Sequence, residues 1–220
     1  MYKACIFDLD GTLTDTLESL TYSVNATLHE VGLGRITDEQ CKSFVGNGAR
    51  RLIEEALKAV GDEKTLKIDE AMEAYGRIFK EHCTYHVKPY EGIVPLLLNL
   101  KNEGVQMAVL SNKPHLRTLD VVEMFFEKDT FTCVYGQCDE IPRKPDPAGI
   151  FAILEKLGIK KEECLYIGDS EADIKAGRAA GVDTVGVLWG FRTKEVLEAL
   201  GATYIIDKPE KIYSIVKGAE

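Results

Sequence analysis

Short runs of β-branched and aromatic residues alternate with longer amphipathic runs along most of this sequence, and this alternation constrains the fold more than any other feature. The short runs predict strands over residues 4–8, 105–110, 131–135, 164–168, 184–188 and 203–206. The longer runs predict helices over residues 94–103, 114–126, 148–157, 171–180, 194–200 and 210–216. Strands that alternate with helices indicate an α/β fold, in which a Rossmann-like parallel sheet carries helices on both faces.

One interval interrupts the alternation. Residues 15–86 contain no clear strand pattern and show only helical periodicity. Thr37 and Gln40 have the spacing of a capping box at the start of a helix. We therefore expect a helical cap domain over residues 15–86, inserted into a core domain formed by residues 1–14 and 87–220.

The charge balance excludes some classes of partner. The chain of 220 residues has 36 Asp and Glu against 27 Lys and Arg, a formal net charge of −9. Proteins that bind nucleic acid or anionic membranes usually carry a basic face, so we expect neither partner. No run of 18 apolar residues and no signal-peptide pattern occurs, which favours a cytoplasmic protein. The six cysteines form no CxxC pair, which favours reduced thiols.

Polar residues follow the predicted strands at the points where these strands end. In an open parallel sheet the carboxyl ends of the strands meet at one edge, where ligands bind. A lysine-containing loop before one helix is expected at the same edge. The residues that this places together are Asp8, Asp10, Ser111, Asn112, Lys113, Lys144, Asp169 and Asp173.

This set of side chains suits phosphoryl transfer to a carboxylate. An Asp carboxylate can attack phosphorus and divide hydrolysis into two displacements. Several neighbouring carboxylates repel one another unless a hard cation lies among them, and Mg²⁺ binds both carboxylate and phosphate oxygens. A lysine and hydroxyl or backbone N–H donors would stabilise charge on the transferred group.

The ordered motifs DLDGTLTD, SNK, KPDP and GDSEAD resemble those of the haloacid dehalogenase-like superfamily. The resemblance covers essentially the whole chain, including the helical insertion after the first motif. The segments FDLDGTLTDT, VGNGARRLIEEAL and RKPDP are most similar to the phosphoglycolate phosphatases within it.

The resemblance implies a role for each residue of these motifs. Asp8 would be the nucleophile, and Asp10 the general acid and then the general base. Ser111, with backbone groups of Leu9 and Asn112, would hold the phosphoryl oxygens. Relatives that act on phosphate esters have an Asp at position 10, whereas dehalogenase-like and phosphonate-cleaving relatives lack it.

The charged residues of the later motifs complete the implied site. Lys144 would stabilise the charge on Asp8 and the phosphoryl group. Mg²⁺ would be bound by Asp8, by the backbone carbonyl of Asp10 and by Asp169, with Asp173 supporting the metal site without binding the ion.

The segment 45–51 of the cap is the candidate for contact with the leaving group. Glycines allow the backbone to approach a small ligand, and an arginine can pair with a carboxylate in bidentate geometry. The competing interpretation is a glycine turn followed by a helix start with two solvated arginines. The candidate residues are Gly46, Asn47, Gly48, Arg50 and Arg51.

We expect an enzyme that hydrolyses a small acidic phosphomonoester, with 2-phosphoglycolate the first choice of substrate. Pyrophosphate, a nucleotide or a sugar phosphate are alternative substrates, and a phosphomutase similar to β-phosphoglucomutase is an alternative activity. An inactive scaffold that only binds ligand is the alternative outside enzymes. The sequence does not distinguish a monomer from a homodimer.

Overall fold

The computed structural model describes residues 1–218. The strands in this part of the chain are β1 (Ala4–Phe7), β2 (Thr14–Asp15), β3 (Lys88–Pro89), β4 (Gln106–Pro114), β5 (Cys133–Gln137), β6 (Cys164–Gly168), β7 (Asp183–Val187) and β8 (Tyr204–Ile206). The α-helices are α1 (Leu17–Glu30), α2 (Asp38–Phe44), α3 (Ala49–Ala59), α4 (Ile68–His82), α5 (Ile93–Asn102), α6 (His115–Phe125), α7 (Ala148–Leu157), α8 (Glu171–Ala180), α9 (Lys194–Ala199) and α10 (Glu210–Lys217).

The main sheet has six strands in the order β5-β4-β1-β6-β7-β8, and every neighbouring pair is parallel. The chain passes from β1 to one side of the sheet and then crosses to β6 on the other side. Strand β1 therefore lies at the switch point of the sheet, where a crevice forms beyond the strand ends. The predicted α/β fold is confirmed.

Both faces of the sheet are buried, as expected when helices cover both sides. Successive residues of β1 alternate between the two faces. Cys5 and Phe7 belong to the hydrophobic cluster on one face, and Ala4 and Ile6 belong to the cluster on the other. This alternation follows from the two-residue period of a strand.

Residues 15–86 contribute helices α1–α4, which pack around a third hydrophobic cluster. Ile53 and Leu57 are fully buried there. Phe191, from the segment that follows β7, also joins this cluster and so connects the helical lobe to the sheet domain. The capping box at Thr37 is present, with Gln40 as its second member.

The two connections between the lobe and the sheet domain run antiparallel as β2 and β3. Their backbones pair Thr14 with Pro89 and Asp15 with Lys88. The sequence pattern did not predict these two-residue strands, because two residues are too few to show a period. None of the helices in residues 1–218 is long and apolar enough to span a membrane.

Strand β4 is longer than the sequence pattern predicts. It continues through Ser111, Asn112 and Lys113 to Pro114, and these three polar residues are all buried. Their polarity suggested a loop, but it instead reflects their position at the buried edge of the site. All six cysteines are unpaired, and five of them are buried.

Candidate active site

Asp8 follows β1 directly and is held in place by the neighbouring strand. Its backbone N–H donates to the carbonyl of Ile167 at 2.8 Å. Its Oδ1 accepts a hydrogen bond from the Leu9 N–H at 2.7 Å and forms an ion pair with Lys144 Nζ at 2.9 Å. Within the described residues Oδ2 has no hydrogen-bond partner, and Asp8 lines a cavity. One carboxylate oxygen is thus fixed and the other is available.

Lys144 lies on the loop before α7 and is almost completely buried. Its Nζ donates to the carbonyl of Leu110 at 2.9 Å and pairs with Asp173 at 2.7 Å, in addition to Asp8. Burial alone would lower the pKa of Lys144, but the nearby carboxylates of Asp173 and Asp8 raise it well above its usual value. Lys144 therefore carries its positive charge within this site.

Asn112 connects β4 to the lysine loop and to the helical lobe. Its side-chain carbonyl accepts from the backbone N–H of Lys144 at 2.8 Å. Its amide donates to the carbonyl of Lys144 at 3.0 Å and to that of Gly46 at 2.8 Å. The side chain of Asn112 therefore holds the lysine loop and the Gly46 turn against β4. Its backbone N–H stays the group for which the sequence predicts a substrate contact. Ser111 lines the same cavity and is buried.

Asp10 lines the same cavity and pairs with a different lysine. Lys113 Nζ is 2.9 Å from Asp10 Oδ1, and the side chain of Lys113 is 1% exposed. In the sequence, Lys113 stands out only as part of the SNK motif, which by itself indicates no role for this lysine. Its position directly after the serine and asparagine was the available signal.

Asp169 follows β6 and is held by the backbone around it. Thr12 Oγ1 donates to its Oδ1 at 3.1 Å, and the Phe191 N–H donates to its Oδ2 at 2.7 Å. Burial, with a contribution from Asp173, raises the pKa of Asp169 to about 7. A Cβ atom at Gly11 would lie 2.6 Å from the Asp169 carboxylate, so only glycine allows the backbone this close.

Three buried carboxylates approach one another closely enough to bind a metal ion. Oxygens of Asp8, Asp169 and Asp173 all lie within 4.8 Å of each other. Both carboxylate oxygens of Asp173 already accept hydrogen bonds, which come from Lys144, Tyr166 and Ser170. Burial and Asp173 raise the pKa of Asp8 well above its usual value, as expected where carboxylates lack enough positive charge. Asp8 and Asp169 therefore fit a Mg²⁺ ion, whereas Asp173 fits a supporting position.

The cavity beside these residues has a volume of about 40 Å³ and lies between the sheet edge and the helical lobe. Its polar side consists of sheet-domain residues such as Asp8, Asp10, Ser111 and Lys113. The opposite wall is mostly apolar and comes largely from the lobe. The residues of this wall are Leu20, Val45, Ala49, Leu52, Tyr75, Phe79 and Phe191.

The predicted substrate loop is only partly at the cavity. Gly46 and Gly48 line it, and both have a positive φ, of 114° and 83°. Asn47 lines a neighbouring surface groove instead, and its carbonyl accepts from Arg143 at 2.8 Å. The glycines therefore form the turn that both interpretations of this segment required.

Arg50 and Arg51 do not line the cavity. Their side chains are 56% and 50% exposed, and they pair with acidic residues of the lobe, including Glu54. Helix α3 buries Leu52 and Ile53, whereas Arg50 and Arg51 remain exposed and form ion pairs with acidic residues of the same helix. Both arginines thus lie outside the cavity in this structure, and the contact of Arg50 or Arg51 with substrate stays a prediction.

Arg192 is a partly buried residue that no sequence pattern indicated, and it connects the sheet domain to the lobe. Arg192 shares its Nε–H between the two carboxylate oxygens of Glu171, at 2.8 and 2.9 Å. It also donates to the carbonyls of Lys42 and Val45, both at 2.9 Å, at the end of α2. No local pattern distinguishes Arg192 from a surface arginine, because its partners come from distant parts of the chain.

The fold and site together define a hydrolase with an α/β core and an inserted helical lobe. The family model of the haloacid dehalogenase-like hydrolases matches residues 5–187. The chain belongs to this family.

Individual relatives agree with this assignment. The chain is 35% identical to a phosphoglycolate phosphatase of Rhodospirillum rubrum, over 94% of this chain and 88% of the relative. It is 32% identical to a phosphoglycolate phosphatase of Aquifex aeolicus, over 86% of each chain. Among solved structures, it is similar to a predicted phosphoglycolate phosphatase of Haemophilus somnus, with a TM-score of 0.90, 27% identity and 97% of each chain covered.

Proposed function

We propose that this chain is a Mg²⁺-dependent phosphatase that hydrolyses a small acidic phosphomonoester, 2-phosphoglycolate, through an aspartyl-phosphate on Asp8. The observation that carries the proposal is the state of the Asp8 carboxylate. Lys144 and the Leu9 N–H hold one oxygen, while the other has no described partner and Asp8 lines the cavity. A fixed carboxylate with one available oxygen is suited to nucleophilic attack.

The reaction has two displacements. In the first, Asp8 Oδ2 attacks phosphorus, the bond from phosphorus to the leaving oxygen breaks, and Asp10 gives its proton to that oxygen. In the second, Asp10 takes a proton from water, the water oxygen attacks phosphorus, and the bond to Asp8 breaks to release phosphate. Lys144 stabilises negative charge on Asp8 and the transferred group in both steps.

Asp8, the backbone carbonyl of Asp10 and Asp169 would hold Mg²⁺. The bound ion supplies positive charge that reduces repulsion between these carboxylates and the phosphate. Asp173 keeps Lys144 in place through its 2.7 Å contact.

Residues 15–86 would act as a cap domain over a core formed by residues 1–14 and 87–220. Its apolar residues cover the cavity, which would exclude bulk water from the aspartyl-phosphate until the leaving group has departed. Gly46, Gly48 and the backbone of Asn112 would contact the substrate. A cytoplasmic location and a small diffusible substrate are part of the same proposal.

The choice of 2-phosphoglycolate is supported by the two curated relatives described above, both phosphoglycolate phosphatases.

The test measures phosphate release by the full chain from a panel of phosphoglycolate, pyrophosphate, nucleotides and hexose phosphates, with Mg²⁺ and with a chelator. We expect the highest kcat/KM for phosphoglycolate, loss of activity with the chelator, and loss of activity in Asp8→Asn. The exposed residue Asp139 supplies the matched control, because Asp139→Asn makes the same chemical change away from the site.

Each alternative has its own result in this panel. A higher kcat/KM for another phosphate would contradict the choice of substrate, and an isomerised sugar phosphate without free phosphate would indicate a mutase. Activity in the chelator, or in Asp8→Asn, would contradict the mechanism. If no compound releases phosphate, the result would indicate a protein that binds a ligand without hydrolysing it.

A further inference from the structure

The charges around the cavity are unevenly distributed. Asp8, Asp10 and Asp169 line it, whereas Lys113 is the one basic residue among the described residues that do so. Arg50 and Arg51, which the sequence pattern offered as partners for an acidic leaving group, lie outside it with half-exposed side chains. An acidic leaving group inside the cavity therefore has one direct cationic partner on its walls.

Lys113 lies between the general acid and the wall formed by the lobe. Its Nζ is 2.9 Å from Asp10 Oδ1 and 4.7 Å from the centre of the Phe79 ring on α4. An ammonium group has three N–H donors, and among the described residues only Asp10 accepts from this one. The buried ammonium thus keeps donors for a ligand in the cavity.

The remaining wall cannot replace this charge. Apart from the hydroxyl of Tyr75, the wall opposite the carboxylates is formed by aliphatic and phenyl side chains such as Leu52 and Phe79. A carboxylate loses hydration when it enters such a space, and this loss is costly unless the carboxylate is paired and hydrogen-bonded. A buried ammonium provides that pairing.

We propose that Lys113 determines specificity by binding a carboxylate of the leaving group, a role that rests on the proposed phosphatase function. The contact between Lys113 and Asp10 limits where this carboxylate can be. Asp10 protonates the leaving oxygen, so a carboxylate that reaches Lys113 must be close to that oxygen in the substrate. The substrate class is therefore a small 2-phosphooxycarboxylate, in which one carbon carries both the phosphoryl oxygen and the carboxylate.

The test compares three substrates in the wild type, Lys113→Met and Lys113→Arg. Phosphoglycolate has the carboxylate, ethyl phosphate has a similar size without it, and 4-nitrophenyl phosphate has a leaving group that does not need a proton. We expect Lys113→Met to lower kcat/KM for phosphoglycolate at least about tenfold more than for ethyl phosphate, the effect of losing one hydrogen bond between charged groups. Most of the difference should be in KM, and Lys113→Arg should recover part of it.

Phosphoglycerates provide a second comparison. In 2-phosphoglycerate one carbon carries both the carboxylate and the phosphoryl oxygen. In 3-phosphoglycerate the phosphoryl oxygen is on a carbon one position further from the carboxylate. The wild type should prefer the 2-phosphate isomer, and Lys113→Met should reduce this preference. The surface substitution Lys58→Met is the matched control for removal of a lysine charge.

Equal losses of kcat/KM for phosphoglycolate and ethyl phosphate in Lys113→Met would overturn the proposal, because Lys113 would then act only through Asp10. A shift of substrate preference in Arg50→Met or Arg51→Met instead would also overturn it. If circular dichroism shows that Lys113→Met is unfolded, Lys113→Gln replaces it, since glutamine removes the charge and can still donate to Asp10. A wild type that hydrolyses the other phosphates but not phosphoglycolate would contradict the proposed function separately.

Discussion

Asp169 illustrates how a single residue links the fold to the site. Its carboxylate accepts hydrogen bonds from Thr12 and from the Phe191 N–H, so both oxygens have a donor. Those donors are neutral, however, and burial together with Asp173 raises the pKa of Asp169 to about 7. The ionised side chain therefore costs folding free energy unless a cation lies beside it.

This raised pKa predicts how stability depends on pH in the metal-free protein. The pKa of the Asp169 carboxyl is about 7 in the folded protein, against an ordinary value of 3.8 that we take for the unfolded chain. The stability that this carboxyl contributes is therefore complete below about pH 4 and is lost as the pH rises through 7. The Asp169→Asn variant has no carboxyl group at this position, so this loss of stability should be absent from it. Urea unfolding in a chelator from pH 5 to 7.5 should show that the unfolding free energy of the wild type falls relative to that of Asp169→Asn.

The same pair of proteins tests metal binding. Mg²⁺ at pH 7.5 should raise the Tm of the wild type more than that of Asp169→Asn, because binding to the folded state alone adds stability. A constant difference between the two proteins at every pH, with equal responses to Mg²⁺, would contradict the role given to Asp169.

At the scale of single elements, two helices each contain an interior glycine in different surroundings. A Cβ atom at Gly76 in α4 would have no heavy atom within 4 Å. A Cβ atom at Gly177 in α8 would lie 2.3 Å from the Thr184 side chain on β7. Helix propensity favours alanine equally at both positions, so the difference between them comes from packing.

The two glycines therefore predict opposite effects of alanine. Gly76→Ala should raise the free energy of unfolding by about 0.5–1 kcal/mol, because the unfolded chain loses freedom and nothing obstructs the methyl group. Gly177→Ala should lower it by about 1–3 kcal/mol, because α8 must move away from β7. Urea denaturation of both variants measures these changes, and the same sign in both would show that packing does not decide the outcome.

Across the whole molecule, the buried apolar side chains form separate clusters. Ile53 is fully buried in the cluster of the lobe, and Ile150 is fully buried beneath the sheet. Phe191 and Arg192 are contacts between the two regions, since Phe191 packs in the lobe and Arg192 binds carbonyls at the end of α2. The lobe thus has its own core, and side chains of the sheet domain such as Phe191 and Arg192 attach it.

This separation predicts a local response to core truncation. Ile53→Ala and Ile150→Ala should each destabilise the packing around them by about 2–5 kcal/mol, because each leaves a cavity. Hydrogen exchange should accelerate mainly in α1–α4 for Ile53→Ala and mainly in the sheet domain for Ile150→Ala. The same exchange pattern in both variants would indicate that the molecule opens as one unit.

The sequence alone contained the order of the strands and helices and the positions of the acidic residues at the strand ends. Helix α8 has the predicted bounds, Glu171–Ala180, and β6 has the predicted bounds, Cys164–Gly168. These elements were predictable because their hydrophobic periods are local and regular. The expected gathering of Asp8, Asp169 and Asp173 follows from the same source, since carboxyl ends of parallel strands share one edge.

The tertiary structure alone decided which charges face the cavity. Lys113 pairs with Asp10 across 103 positions of sequence, and Arg192 reaches Val45 across 147. Arg50 and Arg51 are residues of a type that binds anionic ligands, but their half-exposed side chains form ion pairs on the surface of α3. Local patterns describe the period of an element, whereas its rotation against a distant element depends on packing across the whole chain. The sequence therefore determined the chemistry at the sheet edge, and the packing of the lobe determined that a lysine, and neither arginine, lines the cavity.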